Sequence, residues 1–321
     1  MNAVSEKEKS TDVLSQEGEL LEFYGLPNGT DVYNTSIPFN YNGKHYIYGR
    51  VEKRSEWASS VTRLFVQDGK CWRLLPDAVS YPLEDPCIQV INGEFVLGGT
   101  HVIYSGGKVK TYLSYFFRGK APWDLKFFTC GPQDMKDIRL VQRMNGKIGV
   151  FTRPRSEAVL KQYGSEGIIG YTEIDQIEQL TEDISNRANP LDIFFAKEGW
   201  GGCNQVYNLE DGSLGVIGHS GHYRQEDGLK KQIYENISFV FNPKNRTVSN
   251  FQRIATRGMF PHGEAKKDTL TECAYASGIV GSQEKNKVYL YSGLSDCSEG
   301  RIIIDDPFRA FGGVAVGTCI Y

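Results

Sequence analysis

Short apolar, strand-like runs broken by turn residues recur along this chain, and helical periodicity is scarce. An Asn-Gly or Asp-Gly pair followed by an apolar strand occurs four times: "YNGKHYIYGR" at 41–50, "INGEFVLGGT" at 91–100, "MNGKIGVFTR" at 144–153 and "EDGSLGVIGH" at 210–219. A fifth, looser copy is "QEKNKVYLYSGLSD" at 283–296. These dipeptides favour the left-handed backbone of tight hairpin turns, so each copy predicts a β-hairpin. From Gly43 the turn glycines advance by 50, 53 and 66 residues, then by 74 to Asn286. Such periods suit one four-stranded blade per repeat. A β-sandwich could hold as many hairpins but does not call for this spacing. The expectation is an all-β chain, a single five-bladed β-propeller over residues 21–321, preceded by a disordered polar tail at 1–20. The best helical candidate, "YTEIDQIEQLTEDISNRA" at 171–188, reads as a surface excursion.

The register of the repeat carries a second signal. Seven residues after each turn glycine stand Arg50, Thr100, Arg153 and His219, and the fifth copy ends in Asp296. Eight or nine residues before the same glycines lie Asn34, Asp85, Asp137 and Asn204. In a propeller, equivalent strand ends converge on one mouth of the central channel, a natural place for a polar ligand. The competing explanation is that strand ends are polar because they are wet. Arg, Thr, Arg and His at four equivalent positions are hard to reconcile with wetting alone.

Composition narrows the class. Hydrophobic residues at 40% and charged residues at 23% are those of a soluble globular protein, enriched here in turns and aromatics by 35 Gly, 18 Tyr and 17 Phe. A net charge of −3 and a pI near 6.0 give no footprint for nucleic acid or an anionic membrane. No apolar run approaches the roughly 20 residues that span a bilayer. The seven cysteines are odd in number and scattered, with no C-x-x-C pair, so neither a zinc site nor a disulfide framework is expected and a reducing cytoplasm is the simple inference. No P-loop or dinucleotide fingerprint is present. Nothing in the sequence decides between a monomer and a homo-oligomer.

Four segments, in order, resemble a known family. "EDPCIQVINGEFVLGGTHV" resembles the E-D-P-R segment of glycoside hydrolase family 130, the mannoside phosphorylases, which are five-bladed propellers. "KDIRLVQRMNGKIGVFTRP" at 136–154, "GCNQVYNLEDGSLGVIGHS" at 202–220 and "VYLYSGLSD" at 288–296 are similar to its later motifs. The compact length and the ending "SGLSDCSEGRIIIDDPF" look closer to its relative, glycosyltransferase family 108, a former domain of unknown function whose members make and break β-1,2-linked mannan with phosphate or a sugar-nucleotide donor.

That resemblance implies an inverting reaction in which phosphate, already anionic, replaces the second carboxylate of a hydrolase, so that cations replace a general base. It implies Asp85 as catalytic acid and Glu84 as an auxiliary, sugar-binding carboxylate. Phosphate would be held by Arg139, Arg153 and His219, with Lys197 and Tyr234 placed there by approximate position only. Asn34, Arg50 and Asp296 would grip the sugar. The expected partners are a β-mannoside oligosaccharide and phosphate or mannose 1-phosphate, with no cofactor beyond phosphate. Two departures stand out: Cys87 occupies the place of the arginine in E-D-P-R, and Asn204-Gln205 replaces Pro-Pro. The competing functions are a GDP-mannose-dependent mannosyltransferase, a β-mannoside hydrolase, and a glycan-binding propeller without chemistry.

Overall fold

The computed structural model describes residues 18–313 except 57, 58, 107, 194 and 196. The chain is nearly all β and runs as five antiparallel units, each paired in sequence order. The first is β1 (Thr30–Tyr33), β2 (Lys44–Lys53), β3 (Val61–Asp68) and β4 (Cys71–Leu74). The second is β5 (Glu84–Ile91), β6 (Glu94–Ser105), β7 (Lys108–Gly119) and β8 (Lys126–Cys130). The third is β9 (Arg139–Gln142), β10 (Ile148–Thr152), β11 (Gly170–Ile174) and β12 (Asn189–Pro190). The fourth is β13 (Trp200–Asn208), β14 (Leu214–Glu226), β15 (Leu229–Asn242) and β16 (Thr247–Ala255). The fifth is β17 (Glu272–Gly281), β18 (Lys287–Leu294) and β19 (Ser298–Asp305), completed by the N-terminal strand Glu19–Leu20 on β19. A parallel pairing of Ile233 and Tyr234 with Glu272 and Cys273 fuses the fourth and fifth units into one sheet.

Apolar side chains fill the spaces between consecutive units. Tyr48 and Leu64 meet Ile88 and Leu97, Phe116 meets Val150, Phe151 meets Phe239, and Ile217 meets Leu290. Val280 and Tyr291 of the fifth unit join the cluster of the first, so the packing returns on itself in a propeller-like arrangement. Burial of each such side chain stabilises by about 1.5–3 kcal/mol relative to exposure.

The turns act as the dipeptides predict, in two ways. Asn42-Gly43 and Asn92-Gly93 are left-handed at both residues, whereas at Asn145-Gly146 and Asp211-Gly212 only the glycine is. In these last two the side chain of Asn145 or Asp211 accepts from the backbone N–H two residues on, which favours the wider loop.

Two expectations change. The stretch 171–188 is not one helix: it enters as strand β11, with Tyr171 buried against Phe151 and Phe241, and only Glu182–Asn186 is α-helical, capped by Thr181. The expected polar tail lies outside the described residues up to position 17, but Glu19–Leu20 belongs to the sheet, opposite Arg301 and Gly300.

Candidate active site

Register and backbone together build the site. Asn34, Asp85, Asp137 and Asp296, all at strand ends, adopt left-handed φ of 44°, 51°, 60° and 56°. Asn and Asp tolerate this conformation better than other side-chain-bearing residues. A bulge between Glu84 and Cys87 in β5 lets both carboxylates of the acidic pair approach the same arginine.

Two neighbouring chambers share Arg50, Lys136 and Asp296. The inner one, about 100 Å³, is also lined by Asn34, Asp85, Tyr234 and Tyr275. The outer one, about 290 Å³, is walled by Glu84, Thr100, Tyr104, Tyr112 and Arg155.

One side of the inner chamber is acidic. Asp85 is 5% exposed and accepts from Asn34 Nδ2 at 2.7 Å and Arg50 Nη1 at 3.0 Å. Arg50 also reaches Glu84 at 3.2 Å and Glu52 at 3.7 Å, and Glu52 is held in turn by Tyr33 and Lys266. Burial alone would push the Asp85 carboxyl up. Arg50, Lys136 and the Asn34 hydrogen bond overturn this and hold it below its ordinary value. Glu84 and Asp296 go the other way: burial, with the Asp85 charge adding to it, raises both against the pull of Arg50.

Beyond Tyr275, which lines the chamber, lies a buried cationic cluster. Asp137 is fully buried among cations: Arg153 Nη1 donates to it at 2.7 Å, Arg139 Nη2 lies 3.5 Å away, and the Tyr275 hydroxyl donates at 3.1 Å. Burial again opposes ionisation, and Arg153, Lys136 and Arg139 override it, holding this carboxyl far below its usual value. Two arginines against one carboxylate leave a net positive charge behind Tyr275. His219 closes the group, with Nδ1 2.8 Å from Asn204 Oδ1 and its ring 4.8 Å from that of Tyr275. Burial and the surrounding cations push its pKa down to about 3, so it is a neutral hydrogen-bonding group.

The sequence-derived residues therefore separate. Asn34, Arg50, Asp85, Asp296 and Tyr234 line the inner chamber, and Glu84 the outer. Arg139, Arg153 and His219 lie together, buried around Asp137. Lys197 does not join them: it is exposed in the turn before β13 and lines neither chamber, because the Trp200 that follows turns inward against Tyr223 and Tyr234. Lys136 lies where a lysine was expected. It is half-buried, lines both chambers, and makes no ion pair or hydrogen bond among the described residues. Tyr275 and Asp137 were also missed as site residues, although Asp137 was visible in the repeat register. The signal for Lys136 was its place beside Asp137 in "KDIRL".

Two buried polar atoms without a partner among the described residues belong to residues of the chambers. Asn34 Oδ1 and Thr100 Oγ1 have no hydrogen-bond partner, and their residues line the inner and outer chambers respectively. Cys87 is buried near Arg139, whose charge opposes the rise that burial imposes on its thiol. Thus a cation faces the position from another strand even though the motif arginine is absent. Among the described residues no three His, Cys, Asp or Glu side chains form a group that could hold a metal.

Residues 6–310 match the family model described as "Protein of unknown function (DUF1861)". The chain belongs to this family. Among solved structures it is similar to MPT-4, a mannose phosphorylase from Leishmania mexicana in complex with phosphate ion, at 39% identity over 96% of this chain and 94% of that one, with a TM-score of 0.88. It is equally similar in sequence to MPT-1, a GDP-Man-dependent mannosyltransferase from the same organism, at 39% identity over 95% and 94%, TM-score 0.86. The β-1,2-mannobiose phosphorylase of Listeria innocua shares the fold at 15% identity over 88% and 92%, TM-score 0.60. No curated protein matches the chain. Phosphorylase or glycosyltransferase chemistry on mannose is the activity class these neighbours support.

Proposed function

We propose that this DUF1861 member is an inverting phosphorylase of β-mannosides, acting on β-1,2-linked manno-oligosaccharides on a five-bladed propeller. One observation carries the reading: a buried carboxylate, Asp85, and Lys136, a cation unpaired among the described residues, line the same small chamber, with Arg139 and Arg153 buried beyond its Tyr275 wall. Phosphate held by Lys136, Tyr234 and Tyr275, in the field of Arg139 and Arg153, attacks the anomeric carbon of a mannosyl unit bound by Asn34, Arg50 and Asp296. As the carbon–oxygen bond breaks, Asp85 supplies the proton to the leaving oxygen through a sugar hydroxyl, and α-mannose 1-phosphate results. The leaving chain lies in the outer chamber against Glu84 and Thr100. In the unliganded site Asp85 is ionised; phosphate binding neutralises Lys136, one of the groups that keeps it so, and makes protonation easier. In the synthetic direction the ionised Asp85 is already the base that is needed.

The linkage rests on the sequence motifs. The choice of phosphate is supported by Lys136, a cation without an ion-pair partner among the described residues, beside Tyr234 and Tyr275 in the inner chamber. Free thiols at all six described cysteines agree with a cytoplasmic enzyme. The test is incubation of β-1,2-mannobiose and β-1,2-mannotriose with and without phosphate, reading mannose 1-phosphate. Cleavage that is indifferent to phosphate would make the protein a hydrolase. Synthesis from GDP-mannose, with mannose 1-phosphate inert, would make it a transferase.

A further inference from the structure

Glu299, on β19, is 0% exposed and takes no part in the chemistry above. Among the described residues it has no cationic partner within salt-bridge distance. It binds two neighbours instead: Ser277 Oγ on β17 donates to Oε1 at 2.8 Å, and the backbone N–H of Thr35 donates to Oε2 at 3.1 Å. Thr35 belongs to the first unit, so Glu299 crosses the seam where the ring of units closes.

The residue before Thr35 is Asn34, which donates to Asp85. Directly opposite Glu299 in the β18–β19 ladder stands Gly293. A Cβ there would come within 1.8 Å of Asn34 Oδ1 and 2.6 Å of the Asn34 backbone nitrogen. One rung of the fifth unit thus supplies an absent side chain under Asn34 and a carboxyl that holds the next peptide. Asn34 needs such restraint, because its backbone is left-handed and its side-chain oxygen has no partner.

We infer that Gly293 and Glu299 form a positioning device that fixes Asn34 and, through it, the hydrogen bond that Asn34 donates to Asp85. The inference rests on the proposed role of Asp85. Glu299 lines neither chamber, and Gly293 borders the inner one without a side chain to place in it. Burial pushes the Glu299 carboxyl up to about 8, so near neutrality it keeps its proton and fits between a hydroxyl and an N–H without a buried charge. Glutamine reproduces that state, its oxygen accepting from Thr35 and its amide donating to Ser277; alanine does not.

The test reads Asp85 itself. Its carboxyl is followed by 13C NMR titration and assigned by the loss of its signal in Asp85→Asn. The groups acting on it besides Asn34 are Arg50, Lys136, Glu84, Asp137, Asp296 and Tyr275, none of which is changed. In Glu299→Ala and in Gly293→Ala, two lesions on opposite sides of Asn34, the midpoint is expected to rise by about half a pH unit or more, with Glu299→Gln matching wild type. The acidic limb of the synthetic pH–rate profile should move with it, with the KM for mannose 1-phosphate within twofold. A folded Glu299→Ala or Gly293→Ala protein with an unmoved midpoint overturns the inference, as does a Gln variant that behaves like Ala. Should Glu299→Ala not fold, Gly293→Ala decides alone. A wild type without phosphate-dependent turnover overturns the proposed function and leaves the titration to decide the positioning role.

Discussion

Asp85 and Lys136 occupy one chamber, with no ion pair between them. Replacing Asp85 by Asn removes the proposed proton donor while keeping size and the Asn34 contact, and should lower kcat by about 10²–10⁴-fold with little change in melting temperature. Turnover near wild type would show that another group is the acid. Lys136→Met removes the one unpaired cation of the site among the described residues. A charge-assisted hydrogen bond contributes about 1.5–3 kcal/mol, so the KM for phosphate should rise about 10–100-fold, read by varying phosphate at fixed sugar. The place of Asp85 at the mouth of the units was legible before the structure because the E-D-P context and the repeat register agreed on it. Lys136 was not, since a lysine beside an aspartate is an ordinary surface pattern until the aspartate proves to be buried. Lys197 failed for the matching reason: position along the chain says nothing about which way a turn faces.

Strand ends are where this protein departs from regular structure, and the departures carry its ionisable groups. The Arg139–Asp137–Arg153 cluster is a buried ion network between β9 and β10. Asp137→Ala leaves two desolvated arginines uncompensated and should cost about 3–5 kcal/mol in urea unfolding. A loss below 1 kcal/mol would mean that water reaches the cluster. Glu299 makes a stability prediction independent of function. The folded state keeps its proton up to about pH 8, while the unfolded chain loses it near 4.5, so low pH favours the folded form and that advantage disappears between the two values. Relative to Glu299→Gln, the wild type should therefore lose stability from pH 5 to pH 8, by at most about 1.4 kcal/mol per unit, and then level off. Equal slopes for the two proteins would show that the carboxyl reaches solvent. The hairpins were legible from their turn dipeptides, because left-handed backbone has a strong residue preference. The bulges at Glu84–Cys87 and Cys203–Gln205 were not, since a bulge is set by what the neighbouring strand leaves room for.

At the scale of the molecule, closure is the problem that five units in a row must solve. The first and fifth meet through the strand Glu19–Leu20 on β19, through Leu21 N–H donating to the Glu299 carbonyl at 2.9 Å, and through ion pairs of Lys266 with Glu52 and Glu264 with Arg54. Deleting residues 1–21 should lower the melting temperature by several degrees, since each kcal/mol shifts a chain of this size by about 2–4 °C or less. An unchanged transition would show that the loop carrying Lys266 closes the ring unaided. The recurring hairpins were readable from the repeat period. The closing contacts were not, because they join positions more than 200 residues apart and have no local pattern.

The turns that made the repeat visible have a consequence for the protein as a substance. Asn42-Gly43, Asn92-Gly93 and Asn145-Gly146 are all exposed, as is a further Asn-Gly pair, Asn28-Gly29. With no side chain on the following residue, the glycine nitrogen can attack the asparagine amide, releasing ammonia through a cyclic imide that reopens to aspartate or isoaspartate. Each event adds one negative charge to a chain that begins at −3. A stored preparation should therefore spread into up to four additional, more acidic isoelectric species. Their number would record the age of the sample, while the inner chamber stays as it was.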